Sequence, residues 1–191
     1  FHTIILVQIK TPEHFEFIKL YFDRGVPLFY VLSGFVLMYG YQNKLTDKPS
    51  IEIFYIKRYF RIAPLFYSLL ILWIIIQKIK YGNSTSLESI IINITLLFGL
   101  SPEHHQSIVW AGWSIGVEFL FYLIFPLLAL IIRNIKTSIT FLAISILISS
   151  SFYNGATLSN FGSYAYKNII THMPHILSGI TAFLIWKKTG F

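Results

Sequence analysis

From Trp110 to Ile132 the chain carries a single charged side chain, Glu118, among Leu, Ile, Phe, Val, Trp and small residues. A helix through this stretch is apolar on every side, the pattern of an interior or membrane helix rather than of a half-wetted surface. At the centre of a bilayer a carboxylate costs about 2.5–3.5 kcal/mol on insertion scales, so Glu118 is expected to face a partner inside a bundle. Ser114, Glu118 and Tyr122 follow one another at intervals of four and share one helical face. The same carboxylate would also suit a structural pairing with an Arg or a Trp N–H that fixes helix packing.

The remainder of the chain has the same solvent. Of 191 residues, 55% are hydrophobic and only 12% are charged, whereas a soluble domain carries about 25% charge. Apolar runs recur at lengths near the roughly 20 residues needed to cross hydrocarbon. The fold class is therefore all-α, a polytopic transmembrane helix bundle forming one domain over 1–191. About five to seven membrane segments are expected, with one half-span and an interfacial helix.

In order, Phe1–Val7 reads as the end of a span whose beginning is missing, and 10–24 as a polar loop with a short amphipathic helix. Gly25–Tyr41 is the first complete span, with Pro27 in its first turn. Ile51–Arg61 interleaves apolar and basic residues and reads as the interfacial helix, followed by a span from Ile62 to Ile76 entered through Pro64. Ser89–Leu100 is apolar but only 12 residues long, short for a span, which suggests a re-entrant or a tilted segment. Further spans are expected within Ile108–Ile132, Ile135–Phe152 and Ile169–Trp186, with Tyr153–Asn168 as a loop.

The net charge of +7 does not point to nucleic acid, because Lys and Arg sit in the gaps between apolar runs, where membrane topology places them. Lys44, Lys48, Lys57, Arg58 and Arg61 form the strongest basic cluster and mark that connection as cytoplasmic. If Ser89–Leu100 does not cross, Arg133, Lys136, Lys187 and Lys188 come to the same side, and the positive-inside bias is stronger. There is no cysteine, so thiolate and disulfide chemistry are excluded.

Several residues offer chemistry. His2 ends an apolar segment, where a neutral imidazole suits general-base work. Arg58 and Arg61 lie on one helical face at the mouth of a span, placed to grip phosphate. Ser33 and Gly34 are small enough to admit a helix or a ligand. His104–His105 and His172-x-x-His175 lack zinc-type spacing and a carboxylate cluster, so no metal is assigned.

Read together, these blocks resemble the membrane acyltransferase family 3, bacterial O-acyltransferases of cell-surface polysaccharides. Phe1-His2 is similar to the end of the family's first span, in which a His follows an Arg by about ten residues. Pro27-Leu-Phe-Tyr-Val-Leu-Ser-Gly-Phe35 is similar to its Phe-Phe-x-x-Ser-Gly-Phe block. Lys57-Arg-Tyr-Phe-Arg-Ile-Ala-Pro64 is similar to Lys-Arg-x-x-Arg-Ile-x-Pro, and Trp113-Ser-Ile-Gly-Val-Glu-Phe-Leu-Phe-Tyr122 to Trp-Ser-Leu-x-x-Glu-x-x-Phe-Tyr. Pro174-His-Ile-Leu-Ser-Gly179 looks like a further Pro-x-Phe-x-x-Gly segment. The family has more spans than this chain, so a fragment truncated at both ends is expected.

The resemblance implies acetyl or acyl transfer from acyl-CoA to a polysaccharide or lipid-linked sugar hydroxyl, in the bacterial cytoplasmic membrane, with no bound cofactor. It implies His2 as the base, Arg58 and Arg61 on the coenzyme A phosphates, and Ser33 and Gly34 lining the pocket. Glu118 would orient a catalytic group, supported by Trp113, Ser114 and Tyr122. The alternative is a carrier or flippase of lipid-linked sugars or acyl groups, with Glu118 and the arginines along its path.

Overall fold

The structure is a computed structural model, and it describes residues 25–82 and 85–190. His2 and the polar stretch at 10–24 lie outside them. Among the described residues every regular element is a helix. Helix α1 spans Gly25–Tyr41, α2 Lys48–Tyr81, α3 Leu87–Ile94 and α4 Trp113–Ile131. Helix α5 spans Ile135–Leu158, α6 Gly162–Tyr166 and α7 Ile169–Thr189.

Among the described residues four helical stretches are long and apolar enough to cross a membrane: Lys48–Lys80, Trp113–Ile131, Ile135–Leu158 and Gly162–Thr189. Leu65, Leu147 and Ile79 are 66%, 69% and 81% exposed, as expected where the outer face meets lipid rather than water. The chain is a multi-pass membrane protein.

The expected interfacial helix is not a separate element. Ile51–Arg61 forms the first turns of α2, which continues through Pro64 without a break over 34 residues. At 1.5 Å per residue that is about 51 Å, longer than the ~30 Å hydrocarbon core, so the ends of α2 project beyond it. Pro64 and Phe60, whose carbonyl the proline leaves without its helical donor, are both exposed on the outer face of α2. The loop expected over Tyr153–Asn168 is also shorter, since α5 runs to Leu158 and α6 takes up part of the remainder.

Helices α1 and α7 lie side by side and run in the same direction. Tyr30 meets His172 near their starts, and Tyr39 meets Phe183 and Trp186 near their ends. Contact is close because it is made by glycines. A Cβ at Gly34 would run into the Ile176 carbonyl, and one at Gly179 into the Val31 carbonyl, the small-residue packing that membrane helices use in place of a hydrophobic driving force. Helix α4 follows the direction of α1, with Tyr30 reaching Ser114. Helix α2 runs against it, its Phe54 stacked on Phe125. Helix α5 runs against α7, joined by Ser138 to Thr181 at 2.7 Å and by Ser149 to the Thr171 carbonyl at 3.2 Å.

Between α2 and α4 the segment expected as a half-span folds as one. Helix α3 is eight residues long; the backbone then reverses at Leu96, which sits at φ 60, and makes a 3-10 turn over Phe98–Leu100. Non-helical backbone at membrane depth is tolerated only when protein satisfies it, and here it does. The Tyr67 hydroxyl donates to the Ile94 carbonyl at 2.7 Å, the Asn168 amide to Gly99 at 3.2 Å and the Tyr164 hydroxyl to Leu100 at 3.2 Å. Buried Asn93 accepts from Ser107 Oγ at 2.6 Å and from the Ile108 N–H at 3.1 Å. Phe98 packs onto Gly116, where any Cβ would strike its ring.

Because the half-span returns to the side it left, the ends of α1, α4 and α7 gather with the starts of α2 and α5. Lys44, Lys48, Arg133, Lys136, Lys187 and Lys188 therefore share one end of the bundle, which the positive-inside rule places in the cytoplasm.

Candidate functional site

Along α4 the bundle holds a polar and aromatic column. Its middle is Glu118, only 8% exposed. Tyr122, one turn on, donates its hydroxyl to the Glu118 carboxylate, as their four-residue spacing on a helix allows. The positive charges of Arg61 and Arg58 bear on the same carboxylate from α2. The expected polar face of α4 thus points inward.

Toward the basic end, the column continues through Arg58. Its guanidinium lies over the rings of Tyr41 at 5.1 Å, Tyr122 at 5.5 Å and Phe54 at 5.7 Å. One terminal nitrogen donates to the Tyr41 hydroxyl at 3.1 Å. Its Nε is buried without an acceptor among the described residues. Aromatic faces hold a cation without consuming its hydrogen-bond donors, so Arg58 is fixed in place with a donor still to give. Arg61, one turn further along α2, is exposed.

Away from the basic end, the column passes to Tyr30, whose hydroxyl donates to the Ser114 carbonyl at 3.2 Å. Ser114 turns its own hydroxyl to the Ala111 carbonyl at 3.2 Å. Trp113 stacks on His172 with ring centroids 5.6 Å apart and planes at 25°. Tyr30 approaches the same imidazole at 4.8 Å. His172 Nε2 lies 2.9 Å from the Tyr166 carbonyl. His175 lies one turn on, its ring centroid 5.7 Å from that of His172.

The approach to α4 is strained. Ser107 and Ala111 both adopt φ near +60° (62 and 60), a left-handed conformation that costs non-glycine residues of order 1 kcal/mol or more. This bend delivers Gly112 and Trp113 to the helix start. A Cβ at Gly112 would meet Ser107 Oγ at 2.8 Å and the Val109 carbonyl at 2.9 Å.

The sequence-derived residues Glu118, Arg58, Arg61, Tyr122, Trp113 and Ser114 are brought into this one column. Gly34 serves the contact between α1 and α7, and Ser33 beside it is half-buried. His2 lies outside the described residues. Sequence reading missed Tyr30, Tyr41, His172 and Tyr166, which reach the column from other helices. Tyr30 falls within the Pro27–Phe35 block and His175 within the Pro174–Gly179 block, but neither block points to the imidazole pair, and the His172-x-x-His175 spacing reads from sequence only as a metal candidate. Among the described residues no group of three or more His, Cys, Asp or Glu side chains could hold a metal ion.

A family model described as an acyltransferase domain matches residues 2–190. No curated protein and no solved structure matches the chain.

Proposed function

Since the chain belongs to the acyltransferase domain family across nearly its whole length, and is a multi-pass membrane acyltransferase, we propose that it transfers an acetyl or acyl group from acyl-CoA to a hydroxyl of a cell-surface or exported polysaccharide. The proposed setting is the bacterial cytoplasmic membrane. The observation that carries the donor assignment is Arg58, a guanidinium held by three aromatic rings near the basic end, with buried Nε unpaired among the described residues. Such a group suits the phosphates of a coenzyme A thioester entering from the cytoplasm. Glu118 and Tyr122 join that cation to the rest of the column.

In the proposed reaction, the acceptor oxygen attacks the thioester carbonyl carbon. The new C–O bond replaces the C–S bond, and coenzyme A leaves as the thiol. The hydroxyl proton passes to a base, the role the family resemblance gives His2. Arg58 and Arg61 hold the donor, and Glu118 keeps the arginines in register with the reacting centre.

The test is incorporation of label from radiolabelled acetyl-CoA into polysaccharide by membranes containing the intact protein. His2→Ala is expected to abolish incorporation without lowering membrane abundance. Normal incorporation by that variant would remove His2 from the mechanism. Acetyl-CoA that is not consumed in a protein-dependent way would favour a carrier of sugars or acyl groups instead.

A further inference from the structure

The far end of the column holds two imidazole nitrogens without partners among the described residues. His172 is 2% exposed. A carbonyl can only accept, so the 2.9 Å contact with Tyr166 fixes the proton on Nε2. In the neutral ring, Nδ1 is then an acceptor, and it is buried with no donor among the described residues. His175 Nδ1, one helical turn away, is also buried without a partner among the described residues, and with its proton on Nε2 it would accept as well. Leaving a buried acceptor unmet typically costs about 1–3 kcal/mol, and native proteins rarely leave two side by side.

The surroundings do not explain the pair as packing. Trp113 and Tyr30 press on the His172 ring and offer it no proton; the Tyr30 hydroxyl is committed to the Ser114 carbonyl. A phenylalanine would fill the same space without the two unmet nitrogens. What His172 Nδ1 lacks is a hydrogen-bond donor, and the pair stands in the same column as Glu118, toward the end of the bundle opposite Lys44, Lys48, Lys187 and Lys188.

We propose that His172 and His175 form a hydroxyl-recognition subsite, in which the two Nδ1 atoms accept hydrogen bonds from neighbouring hydroxyls of the acceptor saccharide. The aromatic rings of Trp113 and Tyr30 hold the first imidazole in the required orientation. The His175 side chain is half-buried, while its Nδ1 and that of His172 are buried. This assignment rests on the acyltransferase reading for the identity of the ligand, and the geometry supplies the residues. It sets donor and acceptor at opposite ends of one column, with the cation on one side of Glu118 and the proton acceptors on the other.

Two substitutions separate recognition from support. His172→Asn sets an amide oxygen near the place of Nδ1 and gives up the bond to Tyr166. His172→Gln reaches the Tyr166 carbonyl with its amide nitrogen and leaves no acceptor at Nδ1. Purified protein in detergent would be titrated calorimetrically with alkali-deacylated surface polysaccharide from the source cells. The expected result is affinity within about threefold of the parent for His172→Asn and a loss of about tenfold or more for His172→Gln. The reverse order, equal affinities, or no binding by the parent protein would overturn the proposal.

His175→Phe, which leaves the Tyr166 bond and the Trp113 stack alone, keeps the test decisive if a His172 variant does not fold. Binding weakened several-fold supports the subsite, and unchanged binding overturns it. Saccharide binding by the parent without transfer of label from radiolabelled acetyl-CoA would instead sink the donor assignment and leave the subsite standing.

Discussion

The two halves of the polar column differ in what they leave unsatisfied. Below Glu118, toward the lysines, Arg58 is a cation wrapped in three aromatic rings, with a donor nitrogen unmet among the described residues. Above it, His172 has an acceptor nitrogen, and His175 a ring nitrogen, unmet among the described residues. Aromatic packing holds both halves, so shape is common to them and hydrogen-bond polarity is not. A site with spare donors at one end and spare acceptors at the other suits an anionic donor molecule and a hydroxylic acceptor. Glu118 and Tyr122 stand between, touching the cationic half directly and the imidazole half only through Tyr30 and Ser114.

The largest effect is expected at the join. Glu118→Gln keeps the size of the side chain and an acceptor for Tyr122, but removes the charge set against Arg61 and Arg58. Acyl transfer should fall by at least about 100-fold, the scale on which a lost acid–base or charge partner acts. Membrane abundance should change less than twofold. Transfer retained within a few-fold would mean that the carboxylate only packs helices, and the two halves would then be independent.

Next come variants that strike one half alone. Arg58→Ala should raise KM for acyl-CoA by about 10- to 100-fold, the worth of a charge-assisted hydrogen bond. Arg58→Lys should recover little of it, because an ammonium neither spreads over three rings nor presents Nε. The KM for saccharide should be untouched. A rise in both constants would break the division into a donor half and an acceptor half.

Legibility from sequence divides along the same line. The cationic half was readable, because Arg58, Arg61, Glu118 and Tyr122 fall in short runs whose spacing puts them on single helical faces. The half-span was readable too, since 12 apolar residues cannot cross as a helix. The continuity of α2 was not. Pro64 after a basic, interfacial-looking stretch carries the local signature of a boundary, yet the helix runs through it. The imidazole half was hidden for another reason. His172 takes its meaning from Tyr30, Trp113 and Tyr166, which come from three other helices, and nothing local announces that its Nε2 is spent on a backbone carbonyl.

A smaller effect should separate the glycines that hold the halves in register. Gly179→Ala forces a methyl into the Val31 carbonyl, whereas Gly40 has nothing within 4 Å of its would-be Cβ. Gly179→Ala should lower the thermal midpoint by several degrees, as overpacking by about 1–3 kcal/mol does. Gly40→Ala should leave it within about a degree, as for surface changes within ±0.5 kcal/mol. Because α1 carries Tyr30 to His172, Gly179→Ala should also weaken saccharide binding more than it weakens acyl-CoA binding. Equal losses would show that α1 and α7 support the whole column evenly.

The smallest effect concerns the loop that leads into α4. His105 lies outside the spans, with Nδ1 donating to the Pro102 carbonyl at 2.6 Å and Nε2 against Ser163 Oγ at 3.1 Å. Burial, and secondarily the charge of Lys167, hold its pKa below the ordinary value of 6.5, although the bond to Pro102 opposes them. With the folded value below the unfolded one, the neutral ring's contribution is fully present above about pH 6.5. It is lost as pH falls through the folded value, because the unfolded chain takes up the proton first. The thermal midpoint should therefore drop by a degree or two more in the parent than in His105→Gln between pH 7 and pH 5. Since this loop positions Trp113 and not Arg58, the loss should appear in saccharide binding before acyl-CoA binding. An identical pH dependence in parent and variant would show that His105 does not hold the acceptor half in place.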